Sequence, residues 1–598
     1  MGGGTGRDSE GNRLWICGIV SLVLCCLLLY LTVAAPLLSC PIPLPLREDR
    51  VGRGICELLA AMAVFMINSR IFREGMGDIR RWVPSVSTAA VFGSWSAFGL
   101  SVYELLAMSR AVVSGDARAL VEAEGYLCFD AAALMVTIIV LQRAVEAFVQ
   151  GKARMRRTFT STDKLTRWFV PGVLLAAVLT VVIWIVAGAG PERAVWHASA
   201  FLCAAVPCTT GIAIPVSLMV GARLGEKRGI RYRSASTIKS FADVEHAILD
   251  KTGVITEGAP RVTDVLPNET VGVPELLGVA GMLESHMGSP LAEAVMEHIT
   301  VNNESYPEAS HFQKLSGSKA GAYYDGKMYY AGGQAFIYEL LRGTEAEEDF
   351  VDFVRTWKLE RFENDGKTPL FFARSDKLLG ALLVADRLRP EAAGTIRQLK
   401  TLGVNVLLFS DDEERVSTAI GKSVGVETVI SGTTQRVKQR IVFRLKRRFG
   451  NVMAVGDGIH DTVVTEAANF GFVVRGKAPI DEKKIMADIV SRNGDVRDIY
   501  RAIVLSRSIR RCGRQNLVLA CIYHFLAVVF AAGMIEPVLG FALSPVAGAA
   551  AMGGYAFLTL ANVGRLVVVN MDRTRRFARL RKKVSYGRII FSSLEKEE

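Results

Sequence analysis

Ala247-Ile248-Leu249-Asp250-Lys251-Thr252-Gly253, continued by Val254-Ile255-Thr256, is the stretch that decides how this chain is read. The short apolar run is expected to be a buried strand, and the aspartate at its end is followed by a lysine and a tight glycine turn. That arrangement presents a carboxylate nucleophile to a phosphoryl group, with an aspartyl-phosphate as covalent intermediate. Mg²⁺ and a lysine are needed to neutralise the charge that gathers there. Soluble phosphatases of this chemistry usually carry a second aspartate two residues after the nucleophile, as the acid/base that lets water hydrolyse the acyl phosphate. Here that residue is Thr252. The phosphorylated state is therefore expected to persist, which suits a device that stores energy in a conformation and argues against a membrane-tethered phosphatase.

From about 243 to 500 the pattern is α/β, with short apolar strands at 378–384, 404–409, 452–455 and 470–474 alternating with helices. Catalytic residues belong at the carboxyl ends of such strands. Ser410 and Asp412 follow 404–409, Lys438 opens a basic helix, and Gly456-Asp457-Gly458-Ile459-His460-Asp461 follows 452–455. Asp250, Thr252 and Asp457 are the expected Mg²⁺ ligands, with Asp461 supporting the metal shell. Unrelated acidic turn residues would explain each position singly, but not the ordered set. Residues 266–375 form an insertion whose Ser316-Gly317-Ser318-Lys319-Ala320-Gly321 either approaches a nucleotide or is a surface hairpin loop.

Half of the 598 residues are hydrophobic, more than a purely soluble chain of this charge would carry, and they gather towards the two ends. Segments 14–38, 86–108, 127–148, 168–189 and 195–220, the shorter 56–72, and then 517–534 and 541–569 give an expectation of about eight membrane spans. Segment 14–38 is too long for a signal peptide and lacks a small-residue cleavage site, so it counts as a helix. Arg70, Arg73, Arg80, Arg81, Lys152, Arg154, Arg156 and Arg157, with the basic run from Arg573 to Lys583, place one side, and the phosphoryl-transfer region with it, in the cytoplasm. The net charge of +12 comes largely from these flanks, which fit anionic lipid heads rather than nucleic acid. Ten cysteines are present, none between Cys208 and Cys512, so the cytoplasmic region has no disulfide or zinc framework.

Val206-Pro207-Cys208-Thr209-Thr210-Gly211-Ile212-Ala213-Ile214-Pro215 and its distance to Asp250 complete a recognisable set with Asp365-Gly366-Lys367-Thr368, Asp386-Arg387-Leu388-Arg389-Pro390, the loop 456–461, Asn516, Tyr523, Met552 and Asn562. With these the chain resembles a P-type cation-transporting ATPase of the heavy-metal branch over 55–569. The resemblance implies a polytopic α-helical membrane domain. It also implies a cytoplasmic haloacid-dehalogenase-like phosphorylation domain with an inserted α+β nucleotide-binding domain. The parts would be membrane helices in 1–222 and 514–571, phosphorylation domain in 223–265 and 376–513, nucleotide domain in 266–375, and a basic tail in 572–598. ATP and Mg²⁺ are the implied cofactors, with Asp250, Lys251, Thr252, Ser410, Asp412 and Lys438 in catalysis. Gly317, Lys319, Gly321, Ser289 and Pro290 are the implied nucleotide contacts. Cys208, Met552 and His524 are the candidates for the ion path. Proline in a membrane helix frees a carbonyl, and a thiolate beside that break is a soft ligand. A thioether favours Cu⁺ over Zn²⁺. A packing cysteine and a lipid-facing methionine are the plain alternatives.

The chain departs from the family pattern at several of these places. Val206 replaces the first metal-site cysteine, and Tyr555 and Ala556 replace a pair of serines. His524 and His460 each replace an asparagine, and Ser289 replaces the histidine of a His-Pro adenine clamp. The family's Thr-Gly-Asp reads Ser410-Asp411-Asp412, which adds a negative charge near the phosphate. The family's actuator domain, with the Thr-Gly-Glu loop that dephosphorylates the aspartate, has no room in 151–163. The expectations are therefore an ATP-driven soft-cation exporter or a degenerate relative acting as membrane sensor, switch or partner subunit. A partner chain supplying an actuator would restore the first.

Overall fold

The computed structural model describes residues 5–34, 49–152, 160–206, 210–315, 319–458, 461–475, 487–569 and 571–572. The chain divides into two compact units, Met1–Leu224 with Ser508–Val569, and Gly225–Arg507 with Asn570–Glu598.

The first unit is helical. Among the described residues six helices are long and apolar enough to cross a membrane, or seven if the bent pair Arg50–Ile67 and Ser69–Arg80 forms one span. The other expected segments are those that the described helices do not cover in one piece. Segment 195–220 is divided into Pro191–Ala205 and Thr210–Lys227, flanking the undescribed 207–209. The weak segment 56–72 is the bent pair, whose axes turn by 68° at Asn68. A broken helix in lipid must satisfy its freed backbone groups internally. Asn68 does so by donating its side-chain amide to the Val64 carbonyl at 2.8 Å and to Ser21 Oγ at 2.8 Å. Alanines pack the helices closely, as small residues do where no water drives association. Ala131, Ala132 and Ala133 on the helix Phe129–Lys152 are wholly buried.

The second unit holds two sheets. The first has seven strands: β1 (Ile230–Tyr232), β2 (His246–Asp250), β9 (Asn405–Phe409), β10 (Thr428–Ile430), β11 (Val452–Gly456), β12 (Phe470–Val474) and β13 (Ile489–Ser491). Their order is β1-β13-β12-β11-β2-β9-β10, parallel except for β1. Strands covered by helices on both faces must be apolar throughout. β2, β9, β11 and β12 are buried at every residue, which is why they read as unbroken apolar runs. β2 lies between β11 and β9, so Asp250 stands at the carboxyl edge of the middle of the sheet.

The insertion forms a separate antiparallel sheet of β3 (Arg261–Pro267), β4 (His311–Lys314), β5 (Ala320–Tyr324), β6 (Lys327–Gly332), β7 (Thr368–Arg374) and β8 (Lys377–Ala385), ordered β3-β8-β7-β6-β5-β4. The strand that leaves the first sheet and the strand that returns to it are neighbours, with Arg261 opposite Ala385.

Candidate functional site

Asp250 ends β2 in extended backbone, and the chain then turns through Gly253 at φ 73°. Only a residue without Cβ fits there. A Cβ on Gly253 would lie 2.9 Å from that of Asp457, so the glycine admits the second carboxylate beside Asp250. Gly456 does the same for Asp461, at 2.5 Å. The turn is tied by Thr256, whose hydroxyl donates to the Lys251 carbonyl at 3.0 Å and accepts from Gly253 N–H at 3.3 Å. Thr252 N–H donates to Asp250 Oδ2 at 3.1 Å.

Lys438 comes from the helix Gln435–Phe449, whose apolar face (Val437, Ile441, Val442, Leu445) packs against the sheet and buries the lysine stem. Its Nζ donates to Asp250 Oδ1 at 2.7 Å and lies 2.7 Å from Asp411 Oδ1. Burial opposes its charge, but the Asp250 and Asp411 carboxylates prevail and hold the ammonium above its ordinary range. Burial, with Asp461 nearby, pushes Asp250 up to about 7 against the pull of Lys438. Burial also raises Asp461, which accepts from Gln435 Nε2 at 3.1 Å. Lys251 is ion-paired with Asp412. Ser410 is buried and its hydroxyl accepts from Asp412 N–H at 3.2 Å.

Asp250, Lys251, Thr252, Ser410, Asp412, Lys438, Asp457 and Asp461 thus all lie on loops and a helix at the carboxyl edge of one sheet. Among the described residues no three His, Cys, Asp or Glu side chains form a closed metal cage. Mg²⁺ is usually held by one or two carboxylates with waters and substrate phosphates rather than by such a cage. Asp250, Asp457 and Asp461 are all buried, and burial with the neighbouring Asp461 charge raises the Asp250 carboxyl, a setting that favours a divalent cation.

The nucleotide candidates fare differently. Gly317 lies outside the described residues. Gly321 is a strand residue of β5 paired with Tyr330, and the Leu315 N–H donates to the Lys319 carbonyl at 3.0 Å. This closes a surface hairpin, and Lys319 Nζ sits over the Phe336 ring at 5.0 Å. Ser289 caps the helix Pro290–Val301, its Oγ accepting from Ala292 N–H at 3.1 Å, with Pro290 in the first turn. Serine is among the residues preferred at such a cap.

Glu284, which belongs to none of the motifs above, is the unexpected residue of the insertion. It is buried at the end of the helix Val273–Glu284, five residues before Ser289, and Oε1 has no hydrogen-bond partner. An acid closing the apolar run 276–283 was the available signal. Burial pushes its carboxyl up to about 7. The folded state therefore holds its proton more tightly than the unfolded chain, and stability present below the ordinary carboxylate range is lost as pH rises towards 7. Glu284→Gln is expected to remove this loss, on the order of 3 kcal/mol at pH 8 and little at pH 4.5. Thermal unfolding of the two proteins at both pH values checks it, and an equal shift at both would refute it.

In the membrane unit Cys208 lies outside the described residues. Met552 is fully buried on the inner face of the helix Pro545–Gly564, in one cluster with Cys203 and Val206. It does not face lipid. Tyr523 O–H donates to the Ala204 carbonyl at 2.8 Å, satisfying one of the groups freed where Pro191–Ala205 ends. His524 is set among Phe169, Tyr523 and Tyr555, ring centroids 5.0 to 6.0 Å away, and neither ring nitrogen has a hydrogen-bond partner among the described residues.

The fold and this constellation are those of a haloacid-dehalogenase-like α/β domain in a chain that also carries membrane helices, and the comparisons with known proteins agree. Residues 244–469 match the haloacid dehalogenase-like hydrolase family. The chain is a relative of the heavy-metal P-type ATPases. It is 33% identical over 438 residues, 73% of this chain and 56% of the other, to a probable copper-transporting ATPase of Synechococcus elongatus. Identity to a silver-exporting P-type ATPase of Salmonella typhimurium is 28%, covering 72% of this chain and 52% of that one. The chain thus spans about half the length of the curated relatives it matches. In fold it matches a zinc-transporting PIB-type ATPase in its E2.Pi state with a TM-score of 0.60 and 18% identity, over 93% of this chain and all of that one.

Proposed function

We propose that this membrane protein uses ATP to form an aspartyl-phosphate on Asp250 and couples it to export of a soft heavy-metal cation, with Cu⁺ favoured over Zn²⁺. The contact that carries the reading is Lys438 on Asp250, 2.7 Å apart and buried, with Asp457 and Asp461 beside them. A structural ion pair alone would gain little from two further buried carboxylates. Asp250 would attack the γ-phosphoryl, Lys438 and Ser410 would hold its oxygens, and Lys251 with Asp412 would fix the loop. Mg²⁺ held by Asp250, the Thr252 backbone and Asp457, with Asp461 behind it, would supply charge neutralisation. Glu284 offers a buried acceptor suited to the exocyclic amine of adenine. Buried Met552, with His524 and Cys208, supports a soft-ion path.

A second reading, a relative that is phosphorylated without pumping and works as a switch or partner subunit, is favoured by one observation. Only seven residues separate the helices Phe129–Lys152 and Thr160–Val186, where the resemblance implies an actuator. Labelling with radioactive ATP and Mg²⁺ beside an Asp250→Asn control tests both. Acid-stable, hydroxylamine-sensitive label absent from the control is expected, and Cu⁺-stimulated decay distinguishes a pump from a switch. No label on the wild-type chain would sink both readings.

A further inference from the structure

Five aspartates converge on the phosphoryl-transfer centre, and four have tasks. Asp250 is the nucleophile, Asp457 and Asp461 lie buried beside the two glycines that admit them, and Asp412 is paired with Lys251. Asp411 is left over. The resemblance gives a glycine in its place, so the backbone does not need a carboxylate there. Its side chain is 62% exposed, yet Oδ1 reaches Lys438 Nζ at 2.7 Å, on the same ammonium that holds Asp250. Two carboxylates on one ammonium are no further apart than these contacts laid end to end. The loop that carries Asp411 is fixed on both sides. Ser410 N–H donates to the Ile430 carbonyl at 3.0 Å, while the Asp412 carbonyl accepts from Gly432 N–H at 3.0 Å and Ser417 Oγ at 3.2 Å.

We propose that Asp411 is the general base that hydrolyses the aspartyl-phosphate, supplying from within this chain what a Thr-Gly-Glu loop would otherwise provide. The inference rests on the phosphoenzyme reading above. A water oxygen bonds to phosphorus while one of its protons passes to the Asp411 carboxylate. The bond from phosphorus to the Asp250 oxygen breaks, and its electron pair returns to the Asp250 carboxylate, where Lys438 meets the charge. Orthophosphate leaves, and Asp411 releases its proton to the solvent that its exposed side chain faces. Lys438 holds base and nucleophile in register. Thr252, which cannot act as a base, takes no part in the proton transfer.

The test is a pulse of radiolabelled ATP and Mg²⁺ on the full chain, chased with unlabelled ATP, for wild type, Asp411→Asn and Asp411→Gly. Labelling is expected in all three, which also reports that each is folded. Decay is expected to slow about 100-fold or more in both variants, within the range a positioned base contributes. Added formate is expected to restore decay in Asp411→Gly alone, an effect that a merely structural role would not produce. Unchanged decay in both variants overturns the inference, whether or not labelling becomes faster, as does wild-type label that never decays. A wild-type chain that takes no label overturns the phosphoenzyme reading itself, and this inference with it.

Discussion

Replacing Lys438 with methionine is expected to abolish phosphoenzyme and to cost the chain about 3–5 kcal/mol of stability in metal-free buffer. The two effects share one cause. Lys438 is buried, and its ammonium touches Asp250 directly and Asp411 across 2.7 Å, with Asp461 close enough to feel its charge. Methionine keeps the stem that packs under β11 and β2 but removes the charge, leaving carboxylates in a setting that burial already penalises. In phosphoryl transfer the same ammonium meets charge that grows in the transition state, a contribution of about 100- to 1000-fold for one such donor. Lys438→Arg keeps the charge in a bulkier planar form and is expected to recover part of the stability but little of the labelling. Chemical unfolding and label yield measure the two losses separately. Full labelling of Lys438→Met would remove the lysine from the mechanism.

Arg389→Ala is expected to lower the initial rate of labelling about 100-fold while leaving nucleotide affinity within a few-fold. The arginine makes no contact with Asp250. Its guanidinium donates from three nitrogens to three carbonyls, Thr256 and Gly253 at 2.9 Å and Gly494 at 2.7 Å. Main-chain bonds from Glu257 N–H to the Arg387 carbonyl and from Arg389 N–H to the Ile255 carbonyl add to the clasp, and Asp386 accepts from Gly258 and Ala259 N–H. The turn that sets Asp250 is thereby held from behind. A nucleophile displaced by about an ångström can lose 100-fold. Lysine offers a point charge in place of a fork and is not expected to rescue the rate. Equal label rates for Arg389→Ala and wild type would show that the turn holds itself.

The carboxylate and lysine cluster around Asp250 was legible because its strands are buried on both faces and so stand out as apolar runs. Hydropathy also located the membrane helices, but not their breaks. Asn68 bends a helix that sequence alone shows only as a short segment. Arg497–Ala531 begins twenty residues before the apolar stretch at 517, since its first half is polar enough to hide in a cytoplasmic reading. Least legible were contacts between residues distant in sequence. The extra charge at Asp411 was visible, but not that it shares Lys438 with Asp250. Glu284 lay unnoticed because a lone acid after a hydrophobic helix looks like a solvated end. Resemblance alone places Gly321 and Ser289 in a nucleotide site; the strand pairing of the one and the helix cap of the other are contacts that only the structure supplies.

The neighbouring pair β3 and β8 has a consequence for how such a chain can diversify. Both crossings between the two sheets lie side by side, with Arg261 opposite Ala385, so a short turn there would close the circuit without disturbing the seven strands that carry the nucleophile. The insertion is in effect a cassette on a two-wire socket. Its loops can be exchanged independently while the seven-stranded sheet and the position of Asp250 are passed on unchanged. A chain can therefore lose the grip of one module and keep the working parts of the other intact.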